Sequence, residues 1–317
     1  MTSPLTSNVS RPELTRRRFI TSCAIATATT PLLLRAAPKQ GPELAGQVGI
    51  TTSSIFRQNS GKADDRNFEL WDIPRILRDE VGMKVIDLST GTLNSSRDPK
   101  QIDRLRRAAD AAGCVITNLK VNATHLSVKV LDLPFDHADQ AKRRAALDEY
   151  KQWIRAAQRL GVRWLRPFPS DKEPAAAILV EGYRELADFA GQHGITIVVE
   201  NAGWIRSDPR AIPRLVKALE GRIAAAPDIG SWDEGIRYEA LTAAFPLAVT
   251  CDFKVGNLAP NFEHRGYDLK RCFEIGWKAG FRGPWCIEHG NGNTAKLFSE
   301  LRWIKSQIET WTREMAG

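Results

Sequence analysis

Four apolar stretches of this chain end on a carboxylate. TIVVE closes at Glu200 and is followed by Asn201, IAAAPD closes at Asp228, LAVTCD at Asp252 and WCIE at Glu288. Apolar runs of this length read as buried strands. A carboxylate at the end of such a strand costs too much desolvation to serve as packing, so it must be paired, exposed or bound to a metal. A single case marks only the point where a strand meets solvent. Four in succession point to one site at one end of a sheet. Four converging anions repel, and without a cation among them at least one pKa should rise by about a unit or more. A divalent ion relieves that repulsion, and all-oxygen ligation suits Mg²⁺ or Mn²⁺. The expected centre is therefore one divalent cation held by Glu200, Asp228, Asp252 and Glu288. Mn²⁺ is the best single assignment, with Mg²⁺, Co²⁺ or Zn²⁺ as alternatives.

Other polar groups follow or end apolar runs and are candidates to frame a substrate: Lys120, His125, Arg166, Asn201, Lys254 and His289. Arg166, in WLRPFP, offers a fork of donors to an oxygen-rich ligand or pairs with a carboxylate. Lys254 lies two residues past Asp252 and shares its strand face, as a site lysine or an ion-pair partner. His125, in NATH, fits a base or a hydrogen-bond donor, or the cap of a surface loop. Trp204 and Phe56 offer apolar walls for a sugar face, although most aromatics in the chain read as packing.

The elements that must position these groups alternate regularly. Strands are expected at 48–52, 83–88, 114–121, 162–168, 195–200, 223–226, 247–253 and 284–288. Helices are expected at 68–80, 99–112, 138–160, 174–193, 209–219, within 231–244, at 267–279 and at 294–314. Asp208 is placed to cap the fifth helix and Pro209 suits its first turn. Eight strand–helix units with short apolar strands predict an α/β protein, a closed (β/α)8 TIM barrel in one domain spanning 48–317. The catalytic face would then be the carboxyl ends of the strands. No GxGxxG or GxxxxGK[ST] motif supports an open nucleotide-binding sheet.

At this point the chain resembles the xylose isomerase-like TIM-barrel superfamily, in its sugar phosphate isomerase/epimerase branch, over about residues 46–314. The resemblance rests on VVEN with Glu200 and Asn201, on Pro227-Asp228-Ile229-Gly230, on Gly266-Tyr267-Asp268, on Gly280-Phe281-Arg282-Gly283 and on CIE ending at Glu288. It implies a metal-dependent isomerase or epimerase working by proton abstraction beside a carbonyl, with Glu200 and Glu288 both ligating metal and acting as acid and base on opposite substrate faces. Lys254 and His125 would assist catalysis. Arg166, Asn201, Lys120, His289 and Trp204 would bind substrate. One departure stands out. The family usually reads His-x-Lys-Asp at the seventh strand, and this chain reads Asp252-Phe253-Lys254-Val255. Within the same resemblance a lyase or dehydratase acting on keto-sugars or keto-glycosides uses the same site. The Asp252 replacement also leaves room for a non-catalytic sugar-binding barrel. The family's endonucleases fit least, because they need a histidine-rich zinc cluster and the chain has five histidines in all.

Charge and composition bound the partners. Apolar content of 43% and charged content of 26% are globular values. The formal net charge is +8, but residues 1–37 hold five arginines against one acid, which leaves about +4 for the rest. That balance is weak evidence for an anionic substrate and poor evidence for nucleic acid, and the small carbohydrate substrate is what the resemblance implies. It is compatible with a homo-oligomer. Thr15-Arg16-Arg17-Arg18-Phe19 before an apolar, Ala- and Thr-rich run at 20–34 reads as a twin-arginine-type signal over 1–37, followed by a linker at 38–47. The implied location is the periplasm or beyond, with membrane contact only through that signal. Sugar phosphates are cytoplasmic, so an exported member would meet unphosphorylated sugars, glycosides or their keto forms. Cys114, Cys251, Cys272 and Cys286 are scattered and are expected as buried free thiols. Replacing Arg16 and Arg17 together with lysine is expected to retain the protein in the cytoplasm. Cell fractionation checks this, and undiminished periplasmic delivery would remove the export reading.

Overall fold

The computed structural model describes residues 42–55, 68–93, 96–121, 134–256 and 258–317. The expected signal segment, Phe56 and His125 lie outside the described residues. The strands are β1 (Val48–Thr51), β2 (Val85–Ser89), β3 (Val115–Lys120), β4 (Trp164–Arg166), β5 (Thr196–Val199), β6 (Ala224–Ala225), β7 (Cys251–Gly256) and β8 (Trp285–His289). The helices are α1 (Ile73–Ile76), α2 (Pro99–Ala112), α3 (Gln140–Leu160), α4 (Ala176–Gln192), α5 (Ala211–Ala218), α6 (Arg237–Ala244), α7 (Leu269–Lys278) and α8 (Thr294–Ala316). The expected first helix is a composite: a 3-10 turn at Leu70–Asp72, then α1, then a π turn at Leu77–Val81. Asp98 and Asp139 cap α2 and α3 through their side chains, accepting from Lys100 N at 3.1 Å and Lys142 N at 3.0 Å. Asp208 does not cap α5 as expected. It accepts from Arg210 N at 2.8 Å in the turn ahead of the helix, and Arg210 holds the capping position.

All strand pairs are parallel, in the order β6-β5-β4-β3-β2-β1-β8-β7. The expected closure does not occur. The sheet is an open half-barrel that sweeps 236°, and its edges, β6 and β7, stand 8 Å apart. Only the isolated bridges Ala225–Ala248 and Asp228–Asp252 cross that seam. The local cause is legible. β6 is two residues long, Pro227 has no N–H to donate, and a 3-10 turn at Phe245–Leu247 precedes β7. What remains is a few single bonds: Val249 N to Ala225 O, Asp252 N to Pro227 O and Ile229 N to Asp252 O, each at 3.0 Å.

Adjacent strand residues divide between two cores, as the pleat demands. Val85, Trp164, Val198, Ala224, Ala226 and Cys286 form a small cluster on one face of the sheet. Ile86, Leu165, Val199, Ala225, Trp285 and Ile287 belong to the larger cluster with the helices. The four described cysteines are buried and free, as expected. No described helix is long and apolar enough to cross a membrane.

α7 seats against the sheet through Gly276. A Cβ there would lie 2.7 Å from Trp285 Cη2 and 2.9 Å from Phe245 Cε1, both on fully buried rings. Gly276→Ala gains about 1 kcal/mol of helix propensity, yet overpacking costs about 1–3 kcal/mol. The expected outcome is net destabilisation, read as a lower urea midpoint with an unchanged slope.

Candidate functional site

The two-residue period of the strands carries the inner face directly to the site. Trp164 leads to Arg166, Val198 to Glu200, Ala226 to Asp228 and Cys286 to Glu288. Asn118 and Lys120 are related in the same way on β3, and Asp252 and Lys254 on β7. Glu200, Asp228 and Asp252 are buried, and each brings a carboxylate oxygen within 4.8 Å of the others. Asp228 and Asp252 form one of the bridges across the seam, so two of the three come from opposite sheet edges. Three hard oxygen donors at this spacing fit a divalent cation.

Cations of the protein itself are threaded through the carboxylates. Lys120 Nζ donates to Asp252 Oδ2 and lies 4.0 Å from Glu200 Oε2. Arg166 Nε is 2.9 Å from Glu200 Oε2. Lys254 Nζ is 2.8 Å from Asp228 Oδ2 and 3.2 Å from Glu288 Oε1. Asp228 is the most heavily braced. Gly230 N and Ser231 N donate to its Oδ1 at 2.7 and 3.1 Å, and the Ser231 hydroxyl donates to its Oδ2. Asn201 clamps its backbone, donating to Asp228 O at 2.9 Å and accepting from Asp228 N at 2.7 Å. The glycine of the Pro-Asp-Ile-Gly turn is required by close approach. A Cβ on Gly230 would run into Tyr267 Oη and lie 2.9 Å from Lys254 Cδ, where the lysine passes on its way to Asp228.

The electrostatics sort these groups. Burial pushes the Asp252 carboxyl well up; Lys120 opposes this, while Glu200, Asp87 and Glu288 add to it. The expected rise in at least one carboxylate therefore falls on Asp252. Burial also acts to raise Glu200, but Arg166, Lys120 and Lys254 outweigh it and hold that carboxyl below its ordinary value. Lys120 and Lys254 are both raised: burial works against their charge and the surrounding carboxylates overcome it.

Above the carboxylates opens a cavity of about 560 Å³ lined by Lys120, Arg166, Glu200, Asn201, Lys254 and Glu288 with Thr51, Ser53, Ser89, Phe168, Arg206, Ser231 and Trp232. Two expected site residues lie elsewhere. Trp204 packs against the hydrophobic core, and the aromatic wall of the cavity is Phe168 and Trp232 instead. His289 follows Glu288 by one residue and so faces the other way. Its Nε2 is 2.7 Å from Glu300 Oε2 of α8, and Asn291 Nδ2 donates to both Glu300 oxygens at 3.0 and 2.9 Å. Asn201 lines the cavity, but both ends of its amide are spent on Asp228. Asp87 and Asn118 were not singled out from the sequence. They sit buried side by side, with Asn118 Nδ2 donating to Asp87 Oδ2 at 3.2 Å. The signal for Asp87 was present, an acid inside the apolar run VIDLS. Ser231 was marked only by following Pro-Asp-Ile-Gly, and Glu300 by nothing that separates it from a surface charge.

A buried carboxylate trio in a parallel sheet whose strands alternate with helices, with Glu200 and Asp228 just past β5 and β6 and Asp252 within β7, defines the class: an α/β protein with an acidic centre suited to a divalent metal. Residues 79–313 match the family model of the xylose isomerase-like TIM barrel, and the chain belongs to that family. It is 23% identical over 260 residues to the L-ribulose-5-phosphate 3-epimerase of Salmonella heidelberg (strain SL476), covering 76% of this chain and 90% of that protein. Among solved structures it resembles D-psicose 3-epimerase with D-tagatose from Clostridium cellulolyticum H10, with a TM-score of 0.62, 14% identity and coverage of 84% of this chain and 99% of that one. It also resembles the 3-keto-D-glucoside 4-epimerase of E. coli, with a TM-score of 0.60, 12% identity and coverage of 82% and 99%. At these identities the structural likenesses establish the fold.

Arg166 and Glu200 are a buried pair, 4% and 9% exposed in their side chains. Arg166→Met leaves Glu200 without its nearest cation, and breaking such a pair costs about 3–5 kcal/mol. Chemical denaturation at pH 7 is expected to show a loss of that size, well above the value for an exposed Arg→Met control.

Proposed function

We propose that the protein is a divalent-metal-dependent isomerase or epimerase of keto-sugars. The observation that carries this reading is the buried trio Glu200, Asp228 and Asp252, of which Glu200 lines an open cavity together with Glu288 and Lys254. The relatives described above are named as 3- and 4-epimerases of sugars, which supports it. Glu200, Asp228 and Asp252 would hold the ion with Glu288 as fourth ligand, and Mn²⁺ is the best assignment for an all-oxygen set. When bound, the ion supplies Lewis acidity to the substrate carbonyl and eases loss of the neighbouring proton.

The side chains divide the remaining work. Glu200, kept ionised by Arg166, Lys120 and Lys254, accepts the proton from the carbon beside the carbonyl. The released C–H electron pair forms the carbon–carbon double bond of an enediolate, and the carbonyl oxygen takes up the charge. Glu288, which borders the cavity from β8, returns a proton to the opposite face in epimerisation. Return to the adjacent carbon gives isomerisation. Lys254, with a third of its side chain exposed in the cavity, is the cation placed to donate to a substrate oxygen. His125 retains its proposed part in proton transfer. Segment 1–37 is proposed as a twin-arginine-type export signal, which makes an unphosphorylated sugar, glycoside or keto form the preferred substrate class.

Two substitutions separate binding from chemistry. Protein purified without added metal is expected to carry about one divalent ion by elemental analysis, and Asp228→Asn to lose it. Glu288→Gln is expected to lose turnover by about 100-fold or more on a panel of keto-sugars and glycosides. Full activity in metal-free protein would end the proposal. A stable fold with neither metal nor turnover would favour a sugar-binding protein.

A further inference from the structure

Lys120 is set apart from Lys254 by its burial and from Arg166 by its partner, since its ammonium is bound to Asp252 whereas Arg166 pairs with Glu200. It borders the cavity, but its side chain is 4% exposed, against 34% for Lys254, and its ammonium is turned to Asp252. Nζ is bound to Asp252 Oδ2, lies 3.4 Å from Thr51 Oγ1 and is 4.0 Å from Glu200 Oε2. Thr51 Oγ1 donates at 3.1 Å to the other Asp252 oxygen, so that carboxylate is held at both ends. The Lys120 and Asp252 side chains are 4% and 2% exposed, and bulk water does little to screen either charge. A buried ammonium in this position must either be matched by a carboxylate or be lost.

We propose that Lys120 is the built-in counter-charge of the metal centre: bound to Asp252, it makes the third carboxylate an electrically neutral unit and so sets the affinity of the site for a divalent cation. This rests on the metal-dependent reading given above. Lys120 is thus a positioning residue that acts through Asp252, not a substrate contact. Before any ion enters, Lys120, Arg166 and Lys254 already offset three of the four carboxylate charges. Lys120 does so at Asp252, whose side chain is 2% exposed and lies among other acids. The cost is that its positive charge opposes the incoming ion, so affinity is held below what the carboxylates alone would give.

The test is a charge cycle read by Mn²⁺ titration calorimetry at pH 8, with circular dichroism confirming the fold of each variant. Lys120→Met is expected to bind Mn²⁺ tighter by about tenfold or more, because a positive charge close to the ion is gone. Lys120→Arg keeps the charge and should stay within about threefold of wild type. Asp252→Asn strands Lys120 beside the ion and should weaken binding by about 100-fold. Adding Lys120→Met to Asp252→Asn should recover about tenfold of that loss, since the unit is neutral again. A folded Lys120→Met protein with unchanged or weaker affinity overturns the inference, as does a double variant no better than Asp252→Asn. Where Asp252→Asn does not fold, the Met and Arg variants of Lys120 decide alone. Wild-type protein that binds no Mn²⁺ overturns the metal-dependent reading itself, and this inference with it. Metal binding by wild type without the Lys120 effects overturns only the inference.

Discussion

Like charge brought together under burial is the constraint on which the rest of this structure depends. Glu200, Asp228 and Asp252 meet where water screens little, and each is tolerated only because something positive or hydrogen-bonding has been placed against it. The placements differ in kind. Asp228 receives backbone and hydroxyl donors and a lysine, Glu200 an arginine, and Asp252 a lysine and a threonine. Those differences set the electrostatic order of the site. Glu200 is pulled down and stays ionised, while Asp252 is pushed up. Identical side-chain chemistry thus acquires separate roles from its surroundings.

The seam between β6 and β7 belongs to the same arrangement. A continuous ladder there would fix the two edges at one spacing, whereas single bridges at Ala225–Ala248 and Asp228–Asp252 join them at points. The second bridge joins the backbones of Asp228 and Asp252, so the place where the sheet fails to close is also where the acidic centre sits. Pro227, which weakens the ladder, directly precedes Asp228. One short segment therefore ends β6, opens the sheet edge and delivers a carboxylate, with Gly230 leaving room for Lys254 to follow it.

The other end of the cavity is held from outside the sheet. Glu288 faces in and His289 faces out, and His289 and Asn291 are both tied to Glu300 on α8. The backbone N–H of His289 also donates to Ser54 Oγ at 3.0 Å, joining the end of β8 to the turn after β1. The segment that follows Glu288 is thereby fixed by a helix and by a neighbouring strand's loop. Such anchoring fits the part in proton transfer proposed for Glu288.

The order of eight strands and eight helices, and Glu200, Asp228 and Glu288 at or past strand ends, were legible in the sequence because both follow from local patterning: apolar runs of strand length, helix-stopping glycines and an acid where a run stops. Asp252, expected near the end of a strand at 247–253, instead sits second in β7, because a 3-10 turn runs to Leu247 and the strand begins only at Cys251. The two-residue period already placed Asp252 and Lys254 on one face. Closure was not legible. It depends on whether β6 and β7 exchange a full ladder, and a two-residue strand with a proline after it settles that only once the edges are side by side. Nor were the partners of the charges. Lys120 read as a substrate contact and His289 as a site residue, because sequence gives the position along a strand but not what stands opposite. Tertiary structure alone decided that the Lys120 ammonium would be spent on Asp252, 132 residues away. The physical reason is that ion pairing is fixed by distance across the sheet, whereas patterning is fixed by distance along the chain.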